Sequence, residues 1–207
     1  ARCLQPSIGQ ASARVTALRT LVPEIATARL RLRAPVAADF PTWAEIFAAE
    51  DSDYTGGRRI LDDAWLEFSN YAAGWMLHGH GLWTVTLADT LEVLGFVLVG
   101  LEWDDPEPEL AYFFPARARG HGYALEAAEA ALAQATDLFG PLSLVSYVHD
   151  GNARSAHLAM KLGATRDAAA EAVIAHRFQV WRHGPRADRP SAHVNGRTAP
   201  PVEGDGA

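Results

Sequence analysis

Arg117-Ala118-Arg119-Gly120-His121-Gly122 carries residue types at a spacing that suits one chemistry, the holding of an anion. Glycine removes the side chains that would keep a ligand away from backbone N–H groups. A helix starting just after the turn adds its positive end, and guanidinium groups add fixed charge. Phosphate is the anion such turns usually meet, and the sequence discriminates among phosphate ligands. A dinucleotide fingerprint needs glycine or alanine three residues after the second glycine, where this chain has Leu125. It also belongs at the first strand of a fold, with an acid about 20 residues on. This turn follows a fourth strand, and residues 139–143 hold no acid. A Walker loop needs Gly-Lys-Ser/Thr, which is absent. An ordinary glycine turn would explain the glycines but not two arginines just before them.

The elements around this turn must position it. The period-2 alternation of "ARLRLRAP" sets Leu30 and Leu32 on one face of a strand and Arg29, Arg31 and Arg33 on the other. After Asp39, the residues Phe40, Trp43, Ile46 and Phe47 recur at helical spacing. A second helix is predicted over 60–77 on a face of Leu61, Trp65, Phe68, Ala72, Trp75 and Met76, stopped by the glycines of "HGHG". "LWTVTLAD" and "EVLGFVLVGLEW" read as a hairpin, and "ELAYFF" as a short fourth strand ending at Pro115. The third helix follows the glycine turn, with Ala124, Ala127, Ala128, Ala131 and Ala135 forming a stripe of small side chains suited to close packing. "LSLVSYVH" is a fifth strand, 152–162 a fourth helix, and 174–181 a closing strand. The order is β, α, α, three strands, α, β, α, β. It predicts an α/β (α+β) domain with a mixed sheet and helices on its faces.

With 207 residues, 49% of them hydrophobic, the chain can bury one sizeable core. We read residues 1–26 as an extension, 27–183 as the domain and 184–207 as a disordered tail of Pro, Gly, Arg and Asp. The net charge of −7 argues against a broad electrostatic grip on nucleic acid or an anionic membrane, so an anionic ligand must be held locally. No run of about 18 apolar residues suggests a membrane span. The single cysteine, Cys3, excludes an intramolecular disulfide framework and fits a cytoplasmic setting. His78 and His80 lack a third ligand nearby in sequence, and no metal is expected.

Three stretches in order carry a family resemblance. Arg117 to Gly122, as R-x-x-G-x-G, resembles the pyrophosphate loop of the GNAT acyltransferases. "NARSAHLAMKLGA", Asn152 to Ala164, is similar to that family's coenzyme-side helix. "TARLRLRAPVAADF" is similar to the opening strand and helix of its RimJ/RimL-like branch. The resemblance spans Thr27 to His183. It implies the GNAT fold: a mixed, mostly antiparallel sheet of six to seven strands, helices on both faces, and fourth and fifth strands that splay apart. It also implies an N-acetyltransferase that passes acetyl from acetyl-CoA directly to a primary amine, as a monomer or homodimer without a metal.

The resemblance places coenzyme A against Arg117, Arg119, Gly120, His121, Gly122 and Tyr123. It places the pantetheine arm on the backbone of Ala111, Tyr112 and Phe113 and beside Asn152, whose other reading is a helix cap. Amine chemistry needs a proton acceptor. Asp104, Asp105, Glu107 and Glu109 crowd the start of the coenzyme strand, and Glu109 is the expected base. Many relatives carry a tyrosine as the thiolate's acid where this chain has Ala159; Ser155 resembles the serine used in the RimJ/RimL-like branch, which implies that role for it, with helix capping as its competing explanation. Tyr54 and Trp83 are expected on the acceptor side, where a protein N-terminus or a small-molecule amine would enter. The replacement by Ala159 also keeps open a different class, a coenzyme-binding sensor without catalysis.

Overall fold

The computed structural model describes residues 20–49, 52, 54, 57–103, 105–139, 144–174 and 177–184. Most of the expected extension, residues 185–207 of the expected tail, and Asp104 lie outside the described residues. The strands are β1 (Ile25–Ala26), β2 (Leu30–Arg33), β3 (Leu82–Leu87), β4 (Val93–Gly100), β5 (Glu109–Phe113), β6 (Leu144–His149), β7 (Thr165–Arg166) and β8 (Phe178–His183). They form one sheet in the order β1-β2-β3-β4-β5-β6-β8-β7. Every neighbouring pair is antiparallel except β5 and β6. Among the described residues eight strands replace the expected six to seven, because β1 and β7 have two residues each, too few for any periodicity to show. β1 also corrects the domain boundary: Ile25 and Val22 are buried in the core, so the domain begins before Thr27. The closing strand runs later than expected, to His183 rather than Trp181.

Helices α1 (Phe40–Ala48) and α2 (Leu61–His78) cover one face of the sheet, and α3 (Tyr123–Phe139) covers the other. The α1 face is as expected, with Trp43, Ile46 and Phe47 buried against Phe96 and Leu98 of β4. The α2 face is not. Ala64, Phe68 and Trp75 are buried, whereas Leu61, Trp65 and Met76 are exposed. The helix is rotated so that Glu67 and Tyr71 look toward the sheet's acidic end. On the opposite face, Ala127, Ala128, Ala131 and Ala135 are almost wholly buried and let α3 lie close to β2, β4 and β5. No helix among the described residues is long and apolar enough to cross a membrane.

Between α1 and the sheet, Asp39 is buried rather than capping the helix. It takes two hydrogen bonds from Arg33 at 2.7 and 2.8 Å, one from Thr84 Oγ1 at 2.8 Å and one from the Val36 N–H at 2.9 Å. This network pins the start of α1 to β2 and β3.

The expected splay is present between β5 and β6. Their parallel ladder has a single register pair, Glu109 with Val145. Beside it the Ser146 hydroxyl donates to the Leu110 carbonyl at 2.5 Å, a side-chain tie in place of a ladder bond. Because that hydroxyl spends its proton there, it accepts from His183 Nε2–H at 2.9 Å. Ser146 and His183 are each 2% exposed. Alternation along β5 turns the N–H and C=O of Tyr112 the same way as those of Leu110, into the widening gap.

Candidate functional site

Two cavities open along this gap. The first, about 430 Å³, runs from the end of β5 past the glycine turn to α4 (Ala153–Lys161), and Arg119, Arg154 and Lys161 give it a cationic lining. Gly120 and Gly122 border it with φ of 83° and 78°. Both lie in the left-handed region that glycine occupies without cost, so backbone conformation requires them. A β-carbon at Gly120 would meet no protein atom, which leaves the loop's outer surface open to a ligand.

The second cavity, about 700 Å³, lies on the α1/α2 side. Among the described residues, Glu67, Asp105 and Glu109 line it together with Tyr71, Tyr147 and a single guanidinium, that of Arg59. Burial, together with the neighbouring Asp105 and Glu102, pushes the Glu109 carboxyl up to about 8; the Tyr147 N–H that donates to it offsets this only in part. Burial likewise lifts Glu67 to about 7, although Arg59 bonds its Oε1 at 2.6 Å. Glu67 Oε2 and the Tyr147 hydroxyl are buried with no hydrogen-bond partner among the described residues.

Tyr54, Tyr112, Phe113, Asn152 and Ser155 line both cavities, so the two meet at these residues. Asn152 caps α4, its Oδ1 accepting from the Ser155 N–H at 3.1 Å. The Tyr112 hydroxyl donates to the Ser155 carbonyl at 3.0 Å. A molecule in the cationic cavity and one in the acidic cavity would touch here.

Of the expected site residues, Ala111 lies along the acidic cavity, Arg119 and Tyr123 lie along the cationic one, and Glu109 projects into the acidic one. Tyr54 stands over His149 at 5.6 Å between ring centres. Three expectations are corrected. Trp83 is fully buried on the α3 face, edge-on to Trp75 at 4.5 Å, and its Nε1–H donates to Pro23; it touches neither cavity. Arg117 turns away from the glycine turn to Glu92 at 3.1 Å, Glu45 at 3.3 Å and the Val93 carbonyl at 3.0 Å. His121 stacks on Tyr123 at 5.4 Å outside the cationic cavity and offers that cavity no side chain. Glu107, two residues from Glu109, grips Arg182 with both oxygens and is held below the usual carboxylate range by that bond. It does not share the role of Glu109.

Sequence reasoning missed Arg59, Glu67, Tyr71, Tyr147, Arg154 and Lys161. Glu67 and Tyr71 sit four residues apart on α2, a spacing that places them on one helical face, but polar residues on a helix ordinarily read as solvated. His78 and His80 stack at 5.5 Å. Among the described residues no three His, Cys, Asp or Glu side chains gather as a metal site.

Residues 29–165 match the family model of the acetyltransferase (GNAT) domain. An acetyltransferase of Agrobacterium tumefaciens superposes with a TM-score of 0.72 at 32% identity, over 78% of this chain and 94% of its own. At lower identity the likeness is one of fold. A ribosomal-protein-serine acetyltransferase of Vibrio cholerae gives 0.61 at 18% over 78% and 97%. A spermidine N-acetyltransferase of Vibrio cholerae, solved with CoA and spermine, gives 0.58 at 17% over 75% and 94%. Comparison with curated protein sequences gives no match.

Proposed function

The chain belongs to the GNAT acetyltransferase family, and from that premise we propose that it passes acetyl from acetyl-CoA directly to a primary amine that carries no carboxylate of its own near the reacting nitrogen. The observation behind this reading is the meeting of a cationic and an acidic cavity at Tyr112, Asn152 and Ser155. The first suits a polyphosphate and the second an ammonium.

Coenzyme A would lie with its pyrophosphate at Gly120 and Gly122 and the start of α3, within reach of Arg119, Arg154 and Lys161. Its pantetheine arm would follow the open edge of β5 at Ala111 to Phe113. The ammonium enters the acidic cavity and gives one proton to Glu109, directly or through a water. A group pushed up to about 8 is matched to that transfer near neutral pH. The freed nitrogen attacks the thioester carbonyl carbon, and the C–N bond forms as the carbonyl π electrons move onto oxygen. N–H groups on the β5 edge stabilise the oxyanion. Collapse breaks the C–S bond; the departing thiolate gains a proton from Ser155 or from a water that Ser155 orients, and the amine's second proton passes to that donor and restores it. CoA leaves as the thiol, and the proton held by Glu109 goes to solvent.

The acceptor cavity favours a cation. Among the described residues that line it, the acids Glu67, Asp105 and Glu109 accompany one guanidinium, so a zwitterionic amino acid would bring its own carboxylate against acids. A polyamine or a protein N-terminus would not. The solved relatives named for spermidine and for a ribosomal-protein serine are consistent with either.

Calorimetric titration with acetyl-CoA, CoA and NAD, followed by a thiol-release assay over polyamines, peptides with free N-termini and amino acids, tests this. We expect binding of acetyl-CoA and CoA only, and thiol release with polyamine or peptide amines well above that with amino acids. NAD binding without CoA binding would refute the assignment; CoA binding with no thiol release on any amine would favour a sensor.

A further inference from the structure

Arg29 lies at the approach to β2, far in sequence from the glycine turn, yet it reaches that turn. Its Nε donates to Glu126 Oε2 at 2.7 Å, its backbone N–H to Glu126 Oε1 at 3.0 Å, and its Nη1 to the His121 carbonyl at 3.0 Å. Its guanidinium also lies over the Tyr123 ring at 4.9 Å. Glu126 is clamped from the other side by the Thr27 hydroxyl at 2.6 Å. Burial pushes the Glu126 carboxyl up, but the bonds from Thr27 and Arg29 outweigh this and hold it below its ordinary value. One ionised fork therefore ties β2, the first turn of α3 and the glycine turn together.

The captured carbonyl matters for what its peptide carries on the opposite side. Among the described residues no peptide is cis, and in a planar trans unit the His121 C=O and the Gly122 N–H point in opposite directions. Gly122 borders the cationic cavity whereas His121 does not. Holding the carbonyl outside turns the N–H inward. Restraint is needed because glycine at φ 78° allows this peptide to rotate more freely than any other residue would.

We propose that Arg29 is a positioning residue of the coenzyme site: by binding the His121 carbonyl it fixes the His121–Gly122 peptide with the Gly122 N–H directed at the pyrophosphate. The proposal rests on the acetyl-CoA reading. It differs from a simple charge effect, because the Arg29 side chain acts through two directed donors, Nε on Glu126 and Nη1 on the His121 carbonyl, which a lysine ammonium on a shorter stem cannot supply together.

The test is steady-state kinetics and CoA calorimetry on wild type, Arg29→Ala and Arg29→Lys. We expect both variants to raise KM for acetyl-CoA and Kd for CoA by about tenfold or more, with kcat and the acceptor's KM within about twofold of wild type. Lysine at this position is expected to retain the fold and carries the test should the alanine variant prove insoluble. A wild-type Kd for CoA in Arg29→Lys would overturn the proposal by reducing the role to charge. A parallel fall in kcat and rise in both KM values would overturn it in favour of general damage. A wild-type protein that binds no CoA removes the coenzyme reading itself, and this is seen before any variant is compared.

Discussion

Glu109 places a buried carboxyl at the start of the strand that parts from β6, and its burial sets its chemistry. With a carboxyl pushed from 4.5 up to about 8, the ionised, basic fraction is small near neutral pH and grows as pH increases, so kcat/KM rises with pH and levels off above about 8. Glu109→Gln should lose this limb and roughly 10²-fold to 10⁴-fold in kcat, while CoA binding is kept; an unchanged rate would remove Glu109 from the mechanism. The same group shapes stability in the opposite direction. Between 4.5 and about 8 the folded chain binds more protons at Glu109 than the unfolded chain, so this site's contribution to stability falls as pH rises across that window. Residue by residue, the glycine turn was legible because positive φ leaves a mark on residue type. Arg117 was not, because its partners Glu45 and Glu92 lie 72 and 25 positions away. Trp83 misled because a strand buried on both faces shows no alternation that tells one side from the other.

At the scale of elements, the splay depends on replacing lost ladder bonds with a side chain. Ser146 joins β5, β6 and β8 through Leu110 and His183, and burial holds the His183 imidazole down at about 4, neutral throughout the working range. Ser146→Ala would leave a buried carbonyl and a buried imidazole N–H unpaired, at a cost of roughly 1–3 kcal/mol each before relaxation. We expect a lower urea midpoint at unchanged m, with a raised KM for acetyl-CoA; an unaltered midpoint would show that the bridge carries no weight. Most elements were legible from period and turn residues, including the α4 cap at Asn152. The rotation of α2 was not. Its face is chosen by Phe68 and Trp75 packing on the sheet rather than by the larger count of apolar residues at Leu61, Trp65 and Met76. That rotation also brings Glu67 and Tyr71 into the acceptor cavity, so fold and site were missed together.

Across the whole molecule, a chain of net charge −7 separates its charges by ligand. Arg59 apart, the cations that line these two cavities collect beside the glycine turn and α4, and the acids collect beside α2 and the start of β5, with Tyr112 and Ser155 at the divide. Family and fold were legible because the coenzyme half is built from short, ordered motifs. The acceptor half was not, since it is assembled from single residues on α2, β5 and β6 that meet only in space. Glu67 and Glu109, lifted to about 7 and about 8, have a further consequence. Near neutral pH the empty acceptor cavity stores protons, and a cationic ligand entering it displaces them. Titration with a non-reacting diammonium compound at pH 7 should therefore release protons to the medium, and the measured heat should change with the ionisation enthalpy of the buffer in proportion to their number. The same heat in phosphate and in Tris would mean that the cavity exchanges no proton for its guest.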